Sequence, residues 1–258
     1  MSAQKLFLFD FDGVLVDGMN EYWNSSLLAC EKYLKSPHIS FDQKFYRKVP
    51  IAFREIRPCV KYGWEMILIV HEIIKTENPI NSLNKDEFIN KYNQNCLRIL
   101  KDNSWIADDL QKILNKSRQY QIDKDFPKWV DLHIPFFEVI DFMEKLKKNE
   151  INTGIITTKS KIFAEKILKK LNIFPKYIFG YESGTKTKIA EKLSKDYEIL
   201  GFIEDRKKTL IDIKQNSKTS HIPCFLADWG YLKESDRYNL NNKIKLIKLG
   251  NLEELVAL

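Results

Sequence analysis

After Pro135 the chain repeats one local alternation, and no other feature restricts its fold as much. A helical spacing over Phe136–Lys148, with Val139, Met143 and Leu146 on one face, leads into INTGIITT (Ile151–Thr158), an apolar run of strand length. Ser160–Leu171 is helical again through Phe163, Ile167 and Leu171, and KYIFG (Lys176–Gly180) is a short strand. Thr185–Tyr197 reads as helix, ILGFIED (Ile199–Asp205) as strand and Lys207–Gln215 as helix. IPCFLAD (Ile222–Asp228) and KIKLIKL (Lys243–Leu249) complete the series as strands, and Lys5–Asp10 supplies one more near the N-terminus. Apolar runs without polar alternation belong to strands buried on both faces, and an intervening helix lets successive strands run parallel.

The expected fold class is therefore α/β: a Rossmann-like, doubly wound, mostly parallel sheet with helices on both faces. One long segment interrupts it. From Gly18 to His133 only helical periodicity is present, in the stripes Trp23, Leu27, Cys30, Leu34; Trp64, Ile67, Leu68, His71; Ile89, Tyr92, Cys96, Ile99; and Leu110, Ile113, Leu114. Asn84 and Glu87 stand at capping-box spacing before the third stripe. A structureless loop of this length is foreign to a compact domain, so residues 18–133 are expected to form an inserted all-helical domain, and residues 1–17 with 134–258 the α/β core. The hinge falls at Val16–Gly18 and His133–Pro135, with Asp17 expected to cap the hinge or the first inserted helix.

Composition narrows the function classes. The net charge of +7 comes mostly from lysine spread along the 258 residues, the pattern of solvated helix faces. No cluster of stacking aromatics lies among those lysines, so nucleic acid is not an expected partner. Cys30, Cys59, Cys96 and Cys224 form no CxxC pair, which argues against a disulfide framework or structural zinc and fits a reducing cytoplasm. No apolar run is long enough to span a bilayer, and the run from Leu6 is broken by Asp10 before it could serve as a signal peptide. Neither GxGxxG nor GxxxxGK[ST] occurs, against dinucleotide or P-loop chemistry.

What the chain does place well is oxygen and positive charge. In an open parallel sheet, ligands bind beyond the carboxyl ends of the strands. Those ends carry Asp10 and Asp12; Thr157, Thr158 and Lys159; Glu204 and Asp205; and Asp228, with Lys186 opening a helix between them. Side chains repeat every two residues along a strand, so Asp10 and Asp12 can face one way, and a divalent cation relieves their repulsion. Mg²⁺ takes hard oxygen ligands, commonly one or two carboxylates and a substrate phosphate. Within such a set one carboxylate can attack phosphorus, another can protonate the leaving oxygen, and a hydroxyl and a lysine can hold the remaining phosphoryl oxygens.

DFDGVLVDG, GIITTKS, GTKTKIAEKL and GFIEDRKKTL, in that order, resemble the four motifs of the haloacid dehalogenase-like (HAD) hydrolase superfamily, over about residues 1–17 and 134–258. A helical insertion directly after the first motif is similar to that superfamily's first type of cap, which closes over the site and sets specificity. The resemblance implies Asp10 as nucleophile, Asp12 as general acid/base, and Thr157, with Thr158, and Lys186 as phosphoryl-binding residues. The Mg²⁺ site it implies draws on Asp10, Asp12 and Asp205. It also implies the activity: a Mg²⁺-dependent phosphatase acting on a small phosphorylated metabolite through an aspartyl phosphate. The rivals are a phosphomutase on the same core and a non-catalytic binding protein. One position departs from the pattern: many relatives carry an acid four residues after the metal-binding Asp, where this chain has Thr209. The neighbouring acid is Glu204, which is either a further ligand or, since neighbours on an extended segment face opposite ways, a partner that pins Lys186 or a helix end.

Overall fold

The structure is a computed structural model that describes residues 4–35, 48–238, 240 and 242–255. The chain divides into two compact units, Met1–Asp17 with Ile134–Leu258, and Gly18–His133. In chain order, β1 (Gln4–Phe9) and β2 (Val16–Asp17) come first. The helical unit follows as α1 (Met19–Leu28), α2 (Ile51–Ile56), α3 (Glu65–Ile74), α4 (Lys85–Asn90), α5 (Tyr92–Asp102), α6 (Ala107–Lys124) and α7 (Phe126–Val130). The chain then returns through β3 (Ile134–Pro135), α8 (Phe137–Lys148), β4 (Asn152–Ile156), α9 (Lys161–Lys170) and β5 (Tyr177–Phe179). It ends with α10 (Lys186–Leu193), β6 (Tyr197–Glu204), α11 (Lys207–Gln215), β7 (Cys224–Ala227) and β8 (Ile244–Ile247). None of the described helices is long and apolar enough to cross a membrane.

Six strands form one parallel sheet in the order β5-β4-β1-β6-β7-β8. Its centre is β1, where Leu6, Phe7, Leu8 and Phe9 are all buried. Alternation sends them to opposite faces. Phe7 and Phe9 meet Phe142 of α8, Phe7 edge-on at 5.3 Å. Leu6 and Leu8 join a cluster with Ile189, Leu193, Leu210 and Ile213 of α10 and α11. Each such side chain contributes about 1.5–3 kcal/mol on burial. β6 passes close beneath the phenylalanines at Gly201, where a Cβ would stand 2.6 Å from the Phe7 ring. This is the doubly wound α/β sheet, and it sets the carboxyl ends of β1, β4 and β6 side by side.

Several local expectations are corrected. The helix read over Thr185–Tyr197 stops at Leu193, and β6 already begins at Tyr197. β2 and β3 pair as a two-residue antiparallel ladder, Val16 with Pro135 and Asp17 with Ile134. The N-cap position of α1 is Gly18, and the Asp17 carboxylate accepts from the Tyr231 hydroxyl at 2.7 Å. The capping box at Asn84 and Glu87 does not form, because Asn84 Oδ1 accepts instead from the Asn81 N–H at 2.8 Å.

Within the helical unit, α3 is buried along its whole length and serves as the central helix rather than presenting a stripe. The third stripe spans two helices, because α4 ends at Asn90 and α5 begins at Tyr92. Glu21 of α1 and Arg118 of α6 form a fully buried ion pair, with Nε–Oε1 at 2.8 Å and Nη2–Oε2 at 3.1 Å, and Ser25 donates to the same carboxylate. His71 is a buried structural histidine, packed edge-on to Trp105 and 3.4 Å from the Glu72 carboxylate.

Candidate active site

Local geometry fixes the first acid. The Asp10 N–H donates to Ile203 O at 2.9 Å, which extends the β1–β6 ladder by one residue and holds Asp10 at the sheet's carboxyl edge. The chain then turns sharply. The N–H groups of Val14, Leu15 and Val16 converge on Phe11 O, and Gly13 adopts a φ of 88°, a conformation that side chains with a Cβ rarely take. Asp10 and Asp12 are both buried as a result.

The end of β6 supplies the facing acids. Glu204 and Asp205 are buried, and carboxylate oxygens of Asp10, Glu204 and Asp205 lie within 4.8 Å of one another. Lys186, on the first turn of α10, bridges Asp10 Oδ1 and Glu204 Oε2 at 2.7 Å each. Glu204 Oε1 accepts from the Arg206 N–H at 3.1 Å. Both alternatives for Glu204 therefore coexist: it pins Lys186 and a helix start, and it stands in the acid cluster. The Asp12 carboxylate, also expected beside the cation, is not in that cluster and lies 3.5 Å from Lys159 Nζ.

Thr157 sits one residue past β4. Its N–H donates to Phe179 O at 2.9 Å, and its hydroxyl oxygen accepts from the Lys159 N–H at 3.0 Å. Thr158 points to solvent, while Lys159 is almost wholly buried. Strand-end reasoning gives Lys159 no role of its own; the structure sets one lysine on each acid of the first motif, Lys186 on Asp10 and Lys159 on Asp12. The missed signal is an even spacing: Lys159 lies two residues after Thr157.

The seat of Asp205 was not anticipated. A Cβ on Gly13 would fall 2.0 Å from Asp205 Oδ2, and one on Gly230 would fall 2.2 Å from Asp205 Cβ. Two glycines therefore flank this carboxylate, and the Tyr231 N–H donates to Oδ2 at 2.9 Å. Trp229, beside them, donates its indole N–H to Val14 O at 3.2 Å, and Asp228 is held by Arg237 at 2.7 Å. In the helical unit, Glu65 stands at the start of α3. It is buried, accepting from the Lys61 N–H and the Tyr92 hydroxyl, both at 2.8 Å, and burial raises its pKa. Arg57 lies over the Tyr22 ring, Trp64 stacks on Tyr62 and Arg54 is exposed.

Charge decides what the cluster can hold. The cluster of Asp10, Glu204 and Asp205 is acidic, with the Lys186 ammonium bridging two of its members. Lys186 stays protonated: burial opposes its charge, but Asp10 and Glu204 more than offset that and raise its pKa. The Glu204 carboxyl is held well above its usual range by burial and then by Asp10, against the pull of Lys186. A group that tends to take up a proton here is a group short of positive charge. The donors are all hard oxygens, which suits Mg²⁺ and not a thiophilic metal.

A protein-family model described as a haloacid dehalogenase-like hydrolase matches residues 4–207. No curated protein matches the sequence. Among solved structures, a predicted phosphatase from Clostridium acetobutylicum superposes with a TM-score of 0.58 at 17% identity, covering 100% of both chains. A haloacid dehalogenase-like family hydrolase from Streptococcus pneumoniae gives 0.52 at 18% identity, over 100% of this chain and 99% of that one. A HAD-superfamily hydrolase of subfamily IA from Geobacter sulfurreducens gives 0.53 at 12% identity, over 98% of this chain and 96% of that one. At such identities these structures speak to the fold, whereas the family model spans most of the sequence and both acid motifs. The chain belongs to the haloacid dehalogenase-like hydrolase family.

Proposed function

We propose that the protein is a Mg²⁺-dependent phosphatase that hydrolyses a small phosphorylated metabolite through an aspartyl phosphate on Asp10. The observation that carries this reading is the cluster of Asp10, Glu204 and Asp205 oxygens within 4.8 Å, with Lys186 bridging two of them. Asp10, Glu204 and Asp205 would hold the cation, which when bound neutralises the acid cluster and the charge of the incoming phosphate.

The chain's own groups account for the rest. Asp10 Oδ1 is engaged by Lys186, so attack on phosphorus falls to Oδ2. As the new O–P bond forms, the ester P–O bond breaks, and Asp12 gives its proton to the departing oxygen to release the alcohol. In the second half, Asp12 takes a proton from a water that attacks phosphorus; the Asp10–phosphorus bond breaks and inorganic phosphate leaves. Thr157 and the lysines hold the non-transferring oxygens, where charge must be stabilised. Substrate choice is assigned to the helical insertion Gly18–His133, which follows the first motif directly in the chain.

The test is phosphate release from a panel of phosphorylated metabolites, with and without Mg²⁺. Turnover is expected to require Mg²⁺ and to fall at least about 10⁴-fold in Asp10→Asn, which lacks the nucleophile. Undiminished turnover in Asp10→Asn refutes the mechanism. An isomerised sugar phosphate in place of free phosphate makes the enzyme a mutase.

A further inference from the structure

One residue touches two functionally distinct parts of the core unit. The main-chain N–H of Tyr231 donates to Asp205 Oδ2 at 2.9 Å, and its phenol O–H donates to Asp17 Oδ1 at 2.7 Å. Asp205 is in the acid cluster. Asp17 is the last residue of β2, paired with Ile134, at the point where the chain leaves the α/β unit and returns to it. We propose that Tyr231 is a positioning residue for the cation: its side-chain bond to Asp17 anchors the β7 exit loop, so that its N–H keeps the Asp205 carboxylate in the orientation the metal requires. This rests on the Mg²⁺ reading of the site.

Three features support it. The peptide N–H is rigidly placed only if the loop carrying it is, and among the described residues the loop continues the ladder at Asp228, whose N–H donates to Ile247 O at 2.9 Å. The loop is tied by side chains to β2, through Tyr231 to Asp17, and to the turn after β1, through the Trp229 indole to Val14 O at 3.2 Å. Asp205 is also closely approached by Gly13 and, from the same loop as Tyr231, by Gly230. Gly13 and Gly230 are so close that a Cβ on either would overlap it. A small drift of the loop would therefore move the carboxylate rather than be absorbed by a gap. The Asp17 bond is charge-assisted, the stronger class of hydrogen bond, so it can hold a short loop against thermal motion. The same contact gives β2 and the metal-facing acid a common anchor, so a change in Mg²⁺ occupancy would be felt at the hinge strand.

The variant is Tyr231→Phe, which deletes the hydroxyl and leaves the N–H and the ring. Mg²⁺ affinity is measured by calorimetric titration of the metal-free protein, with thermal melts of the same samples. Mg²⁺ binding is expected to weaken about 3- to 10-fold, and kcat at saturating Mg²⁺ to stay within about 2-fold of the parent. Asp17→Asn keeps an acceptor for the phenol and should bind Mg²⁺ nearly as the parent does. Asp17→Ala should match Tyr231→Phe, and the double variant should be no weaker than either single one, as one shared contact requires. A melting point lowered in Tyr231→Phe with unchanged Mg²⁺ affinity overturns the proposal, because the tyrosine would then be structural only. Additive losses in the double variant also overturn it. If the parent itself takes up no Mg²⁺, the metal reading fails, and this proposal with it.

Discussion

Replacing Lys186 with methionine tests whether the site is organised by charge. The methionine keeps the length and apolar stem of the side chain and deletes an ammonium that lies 2.7 Å from both Asp10 Oδ1 and Glu204 Oε2. Its side chain is only 10% exposed, so water screens these contacts little. Removing one partner of a buried ion cluster costs about 3–5 kcal/mol. The loss is bounded because Glu204, whose pKa is raised by burial and then by Asp10, can take up a proton in place of the ammonium. The lower end, about 3 kcal/mol near pH 8, is therefore expected.

The sign with pH follows. An acid whose folded-state pKa is raised destabilises the fold as pH rises through its ordinary range, so the deficit of Lys186→Met should be smaller at pH 5 than at pH 8. Mg²⁺ should restore stability, about 2.7 kcal/mol at a hundred times its dissociation constant. Turnover should nevertheless stay about 10²–10³-fold low, since the lysine's charge on the phosphoryl oxygens is not replaced. Urea unfolding followed by circular dichroism at the two pH values, with and without Mg²⁺, reads all of this. Equal stability of variant and parent at pH 8, or a deficit that does not change with pH, would refute the charge argument.

Three further outcomes can be checked. Gly13→Ala combines a φ of 88° with a Cβ placed 2.0 Å from Asp205 Oδ2, and should cost about 2–3 kcal/mol in urea unfolding while weakening Mg²⁺ binding in calorimetry. In the helical unit, burial opposes the charge of Glu72, but His71, Lys75 and Arg98 together hold its pKa down, from 4.5 to about 2. That stabilisation is complete above pH 4.5 and is lost as pH falls towards 2; allowing for the partly exposed Lys75 and Arg98, Glu72→Gln should remove about 2 kcal/mol at pH 7 and flatten the acid limb of the stability curve. Glu21→Gln strands the buried Arg118 charge and should lower stability by about 3–5 kcal/mol, whereas Glu21→Met with Arg118→Met should recover much of that loss.

The sheet was legible in the sequence because its strands are buried on both faces. The run Leu6–Phe9 has no polar interruption, and such a run fits a central parallel strand. Strand-end reasoning also brought Asp10, Glu204, Asp205 and Lys186 towards one rim, since parallel strands end on the same side. What failed depends on partners distant in sequence or on competition between partners. Asp17 accepts from the Tyr231 hydroxyl, a partner 214 residues away that no local pattern announces. Asn84 has capping-box spacing, but its oxygen is taken by the Asn81 N–H. The β2–β3 ladder has two residues per strand, too few for a period to show. The seat of Asp205, made by Gly13, Gly230 and Tyr231, has no local pattern, because it joins the turn after β1 to the loop after β7.

The central claim is that Asp10 carries the phosphoryl group between ester and water. Rapid quenching during turnover, then peptide mass spectrometry, tests it directly. The account predicts a phosphoryl adduct on the peptide containing Asp10, labile to hydroxylamine, formed in the presence of Mg²⁺ and missing in Asp10→Asn. Phosphate released at the parent rate with no adduct on Asp10, or with the adduct on another residue, would contradict it.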